Sequence, residues 1–129
     1  MSHITKVNLT YKDLDALEEA GKACDLTLKR GQRKFRSYFE GTCMHALVPA
    51  DKSAYQVGVV ATDDGFELRY DAYDGKLEPL AGPGLQKLRR EYAAAVTLKR
   101  AETTLARKGF HATRENLPGN RIRLRLRTR

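Results

Sequence analysis

From residue 121 to the last residue, arginine stands at every second position: Arg121, Arg123, Arg125, Arg127 and Arg129. Ile122, Leu124, Leu126 and Thr128 fill the gaps. A period of two is that of a β-strand, whose successive side chains point to opposite faces. The segment is therefore expected to be a strand with one apolar face and one arginine comb. Same-face neighbours in a strand lie about 7 Å apart, so these guanidinium groups repel one another unless anions or carboxylates are near. The comb says more about a partner than about stability. The plainer reading is an edge strand whose charge blocks aggregation. Lysine or mixed charge would serve that purpose as well, whereas arginine's planar fork suits phosphate and carboxylate. Five arginines without an acid favour a functional surface.

Upstream, the pattern alternates between strand and helix periods. Residues 4–11 place Val7, Leu9 and Tyr11 on one face and predict a strand. Leu14, Leu17, Gly21 and Cys24 fall on one helical stripe, with Asp13, Asp15, Glu18 and Glu19 early, where the helix dipole favours negative charge. Leu26–Leu28 reads as a short strand, Cys43–Val48 as a buried strand stopped by Pro49, and Ala54–Ala61 as another. Thr62-Asp63-Asp64-Gly65 reads as a hairpin turn in which Gly65 supplies a positive φ, returning through Phe66–Asp71. Residues 72–84, with three glycines and two prolines, read as a loop. A long helix is expected from about Leu85 to Lys108, with Leu85, Leu88, Tyr92, Ala95, Leu98 and Leu105 on its core face and Gly109 as its stop. Phe110–Glu115 and Arg121–Thr128 then form a closing hairpin. With 129 residues the chain suits one α+β domain spanning 1–129. The simplest architecture puts two helices on one face of a mostly antiparallel sheet, as a ferredoxin-like split β-α-β core with extra hairpin strands.

Charge narrows the function classes. The formal net charge is +8. Residues 1–64 carry nine basic and nine acidic residues, residues 65–129 fifteen and seven, and residues 84–129 thirteen and three. Such asymmetry points to nucleic acid, an acidic protein or an anionic surface. A second basic segment, residues 29–36, holds Lys29, Arg30, Arg33, Lys34 and Arg36 with Phe35, and Tyr38 and Phe39 follow. These cations can hold phosphates while Phe35 and Tyr38 stack on bases; equally, the loop is solvated and its aromatics fold into the core. Arg89, Arg100 and Arg107 return to nearly one helix face, which reads as its wet side. No run reaches the roughly 18 apolar residues of a membrane span, and the start of the chain lacks the regions of a secretory signal. A soluble, cytoplasmic protein without membrane association is expected, with Cys24 and Cys43 as reduced, at least half-buried thiols.

Catalytic patterns are thin. His3, His45 and His111 show no ligand pairing. Cys43 and His45 fall on one face of a strand without a third group, which suits neither a closed zinc site nor a thiol nucleophile. Asp63-Asp64-Gly65 has too few oxygens for a calcium loop. Asp71, Asp74 and Glu78 read as an acidic loop patch that is solvated or contacts a partner, in preference to a metal cluster. Gly82-Pro83-Gly84 lacks the Lys-Ser or Lys-Thr of a phosphate loop. No metal and no cofactor is implied.

One resemblance runs along the chain. Met1-Ser2-His3 opens onto a strand and Lys12-Asp13-Leu14-Asp15-Ala16-Leu17. Tyr55-Gln56-Val57-Gly58-Val59 and the Asp64-Gly65 turn follow, then Arg90-Glu91-Tyr92-Ala93, Lys108-Gly109-Phe110 and Ile122-Arg123-Leu124. The series resembles a small family of unknown function that includes a hypothetical chloroplast open reading frame, with relatives in cyanobacteria, other bacteria and phages. The similarity spans nearly the whole chain through short motifs. It implies a small soluble module, sometimes encoded near ring-forming ATPases, and it implies no reaction and no catalytic residues. The chain departs from that pattern in the basic segment 29–36 and in the density of terminal arginines, so its function is either the family's or its own.

These readings converge on a non-enzymatic binding module. Its first expected partner is RNA or DNA, contacted at phosphates by Arg121, Arg123, Arg125, Arg127 and Arg129 with Arg30, Arg33, Lys34 and Arg36, and with Phe35 and Tyr38 as stacking residues. The alternative is an adaptor or inhibitor (a phage or accessory factor, as for a ring-forming ATPase) that docks on an acidic protein surface. An enzyme with a dispersed site is the weakest of the three. The oligomeric state has no signature in the sequence.

Overall fold

Strand β1 (Thr5–Thr10) runs into helix α1 (Leu14–Ala23) through a junction fixed by side chains. Asp13 caps the helix, its Oδ1 accepting from the Ala16 amide at 3.0 Å, which satisfies a donor left open at the helix start. Tyr11 stands at φ 72°, a costly backbone region for a residue with a side chain. Its carbonyl accepts a hydrogen bond from the Tyr92 hydroxyl, which also accepts from the Asp13 amide at 3.2 Å.

After α1 come β2 (Leu26–Arg30), the two-residue strands β3 (Lys34–Phe35) and β4 (Gly41–Thr42), then β5 (His45–Pro49), β6 (Val57–Ala61) and β7 (Gly65–Tyr70). A four-residue helix α2 (Glu78–Ala81) and a 3-10 turn (Pro83–Leu85) lead into α3 (Gln86–Arg107), and β8 (Phe110–Leu117) and β9 (Arg121–Thr128) end the chain. The computed structural model describes residues 4–119 and 121–128. The opening tripeptide with His3, Asn120 and Arg129, the last residue of the comb, lie outside the described residues. No described helix is long and apolar enough to cross a membrane.

The chain is mixed α+β with antiparallel sheets. The main sheet has the order β1-β7-β6-β5-β2, and every neighbouring pair is antiparallel. β1 and β2 therefore run the same way at opposite edges, joined across the sheet by α1. A split β-α-β is present, but three strands fill the split, not one. The strands after α3 do not enter this sheet; β8 and β9 pair only with each other. The expected ferredoxin-like order is therefore corrected. Strands β7, β6 and β5 occupy every position between β1 and β2, which leaves no interior position for a later strand.

Register sorts the sheet into two faces. Leu47, Val57, Val59, Phe66 and Leu68 line one face and are buried. Helix α1 and the first turns of α3 lie on it. Gly21 of α1 sits so close to Leu47 that an added Cβ would lie 2.8 Å from its Cδ2, and Tyr92 of α3 meets Phe66 edge-on at 6.3 Å. Ala46, Gly58 and Val60 share the other face, where the β3–β4 hairpin lays Phe35 and Cys43 over the strands. Gly58 makes this possible, since a Cβ there would fall 2.4 Å from the Phe35 ring.

Two local expectations change. Gly65 does not adopt a positive φ; the turn closes through Thr62 N–H to the Gly65 carbonyl at 2.9 Å. Glycine is needed there because a Cβ would lie 1.7 Å from the Leu9 carbonyl oxygen of β1. Cys43 and His45 do not share a face, because a bend at Met44 interrupts the two-residue period. Cys43 joins Phe35, while His45 pairs with Val59 on the helix side. Both cysteines are buried and free.

The chain forms two compact units, residues 1–95 and 96–129. The boundary falls inside α3, so no linker composition marks it. The second unit consists of the last turns of α3 and the β8–β9 ribbon.

Candidate functional site

The ribbon's register decides what the arginines face. Phe110 pairs with Thr128, and the pairing continues without a bulge to Leu117 opposite Arg121. Residues opposite one another share a face, so Arg121, Arg123, Arg125 and Arg127 emerge on the side of Leu117, Glu115, Thr113 and His111. All four arginines are exposed. Glu115 is the one carboxylate among these facing residues. Its Oε2 lies 3.0 Å from Arg125 Nε and 3.6 Å from Arg123 Nη1. Arg121 donates from Nε to the Pro118 carbonyl at 3.2 Å. The comb is thus partly steadied by the protein itself, and among the described residues of this face four arginines share one carboxylate.

The reverse face carries Ile122, Leu124 and Leu126 opposite Arg114 and Ala112. Arg114 pairs with Glu102 of α3. Ile122 is 45 % and Leu126 50 % exposed, so the apolar side of the strand is only partly covered.

The second basic segment is taken apart by the fold. Arg30 ends β2 on the helix side and meets Asp15 at 2.7 Å and Glu18 at 3.7 Å. Lys34 pairs with Glu40 at 3.2 Å. Phe35 is 1 % exposed, so its ring fills the core and offers no face to a base, which corrects its expected stacking role. Arg33 and Arg36 are exposed and have no carboxylate partner among the described residues. Tyr38 is 54 % exposed, and it stands in a group that the sequence did not reveal. Its ring meets Phe39 at 4.8 Å and Tyr73 at 5.4 Å, both edge-on.

One carboxylate holds two members of this aromatic group, and a second fastens the neighbouring segments. Asp71, 1 % exposed, accepts from the Tyr38 amide at 3.2 Å and the Tyr73 amide at 2.9 Å. Asp74 accepts from the Tyr55 amide at 2.8 Å and the Lys76 amide at 3.1 Å. Burial first, then the Asp71 and Asp74 charges, push the Tyr55 phenol up. The acidic loop patch is therefore a clasp between loops, and the order of residues along the chain does not expose it, because Tyr73 lies 35 positions from Tyr38.

Two further side chains are held by backbone hydrogen bonds. His45 Nδ1 accepts from the Gly31 amide at 3.0 Å, and burial first, then Arg33 and Arg30, lower its pKa. Cys43 Sγ donates to the Gln32 carbonyl at 3.1 Å, and burial pushes its thiol up. A shallow cavity of about 230 Å³ lined by Ile4, Lys6, Phe35, Gly41, Thr42 and Arg69 opens beside β1, where Arg69 is held by Glu67 at 2.8 Å and the Thr42 carbonyl at 3.3 Å. No three His, Cys, Asp or Glu among the described residues converge as metal ligands. No protein-family model, no curated protein and no solved structure matches this chain.

Proposed function

We propose that this protein binds nucleic acid through phosphate contacts, with the arginine face of the β8–β9 ribbon as its principal surface. The observation that carries this reading is the register, in which four exposed arginines share one face with a single carboxylate. Arginines about 7 Å apart are spaced to meet phosphates along one nucleic-acid strand, and arginine's planar fork suits a phosphate. Phosphate contacts position a protein without reading sequence, so affinity is steeply salt-dependent and weakly sequence-specific.

Titration of labelled RNA and DNA at several salt concentrations tests this. Four phosphate contacts give a log–log slope of about −3 to −4. An Arg123→Glu/Arg125→Glu/Arg127→Glu variant loses affinity about a hundredfold or more at low salt and keeps its thermal transition. Absence of binding at 50 mM salt, or binding indifferent to salt, sinks the proposal. A second reading draws on the half-exposed Ile122 and Leu126 behind the comb and on the open edge of each ribbon strand. In it the ribbon docks on an acidic protein surface, with the arginines setting partner choice and association rate. A protein captured by the wild type and lost with the same triple variant, without nucleic-acid binding, would establish it.

A further inference from the structure

We infer that Tyr38, Phe39 and Tyr73 form a stacking platform for the unpaired bases of a single-stranded nucleic acid. This inference rests on the nucleic-acid reading above and names its substrate class, through a site in the first unit that the comb does not include.

Single exposed apolar residues are ordinary on protein surfaces. Here three aromatic rings are contiguous and more than half exposed, with Phe39 at 75 % and Tyr73 at 61 %. They are not loosely placed. Two of them are carried by backbone amides fastened to the same buried carboxylate, that of Asp71. Burying a carboxyl group is unfavourable unless it is well hydrogen-bonded, so the fold commits a buried polar group to holding the backbone that carries these exposed rings. Ser37, next to Tyr38, is buried with its Oγ unpaired among the described residues, a second local cost that stability alone does not justify.

Three chemistries fit exposed aromatics: a cation, a proline-rich peptide and a nucleobase. A cation site would turn a carboxylate toward its ligand, but the oxygens of Asp71 and Asp74 are occupied by backbone N–H groups. Arg36, two residues before Tyr38, is exposed and has no carboxylate partner among the described residues; its charge repels a cation and attracts a phosphate. Arg36 is tied into the same loops, its amide donating to Gln56 Oε1 at 3.0 Å and its carbonyl accepting from the Gln56 amide at 2.9 Å. Aromatic faces beside arginine are the pattern of single-strand binding, in which each base has a π-face to stack while the cations follow the backbone. Bases inside a duplex have no free face, so the platform selects single strands.

An abasic oligonucleotide separates bases from phosphates. The full chain is titrated with a 12-nucleotide single strand, its duplex and an abasic strand of equal length. The expected order is single strand tightest, with the abasic strand weaker by about tenfold or more, since stacking contributes roughly 5- to 150-fold per base. A Tyr38→Ala/Phe39→Ala/Tyr73→Ala variant should bind the base-bearing strand no better than the abasic one while keeping the wild-type salt slope. The chain has no tryptophan, so Phe39→Trp supplies a single reporter whose emission should be quenched by the single strand and not by the abasic one. Equal affinity for abasic and base-bearing strands, or an unchanged triple-alanine variant, overturns the platform while salt-dependent binding leaves the comb standing. Loss of all binding, or capture of a proline-rich peptide alone, overturns both.

Discussion

The two units of this chain are built on opposite terms. Residues 1–95 contain fourteen basic and fourteen acidic residues, and residues 96–129 contain ten and two, so the entire excess of +8 lies in the second unit. Burial divides one residue further on. The buried apolar side chains run from Leu9 to Val96, and none of the described residues beyond Val96 is buried. The first unit is held by a core on both faces of its sheet. The second is a helix end and a ribbon whose strands expose most of their side chains. An isolated two-stranded hairpin is marginal in water, and stacking arginines on one face makes it more so. A surface assembled against its own stability is better explained by what it meets than by what it holds together.

The largest test of this contrast is a matched pair of leucine truncations. Leu68 is fully buried beneath the helices, so Leu68→Ala should cost about 2–5 kcal/mol and lower the denaturant midpoint accordingly. Leu126→Ala, in a half-exposed strand position, should change global stability by about 0.5 kcal/mol or less. Comparable losses at the two positions would mean that the ribbon shares the core's cooperativity, and the contrast would fail.

A smaller effect probes how far the comb is restrained. Glu115 holds Arg123 and Arg125 in an exposed setting, where ion pairs contribute only about 0.2–1 kcal/mol. Glu115→Gln removes the competing carboxylate and leaves both guanidinium groups to the ligand. Nucleic-acid affinity at low salt should rise by about two- to fivefold, with little change in melting. A fall in affinity would instead make Glu115 an organiser of the arginine face, and the ribbon would be a more structured site than its exposure suggests.

The legible part of this molecule was whatever local period could encode. The alternation in 121–128 gave the strand, the stripe in 14–24 gave α1, and Gly109, at φ 86°, ended α3 where its sequence expected a stop. Long-range pairings were opaque. The sheet order depends on which strands pair across the chain, with β7, β6 and β5 between β1 and β2 and the terminal strands left to each other, and no local period carries that information. The basic segment 29–36 failed for a related reason. Composition weighs its five cations equally, but two are met by acids, one of them by residues of a helix that precedes it in the chain. Phe35 is drawn inward by the gap over Gly58, 23 positions away, whereas Tyr38 is turned outward by a bond to Asp71. Neither partner is visible from the loop's own sequence.

The smallest effect concerns pH and belongs to the first unit alone. His45 is lowered from its ordinary value by burial first, then by Arg33 and Arg30, and its Nδ1 must stay unprotonated to accept from Gly31. The unfolded chain, with an imidazole near pH 6.5, then binds a proton before the folded chain does. Between that value and the lower folded one, the unfolded state holds more protons, so stability falls as pH falls. Above pH 7 the contribution is complete, and it is lost on acidification through that window. His45→Asn, which keeps an acceptor for the Gly31 amide without titrating, should flatten the slope of stability between pH 7 and 5.5 relative to wild type. If the two slopes coincide, the imidazole is not held neutral by the fold. The pH response would then have to come from elsewhere, and the electrically balanced unit would no longer be the part of the molecule that senses acid.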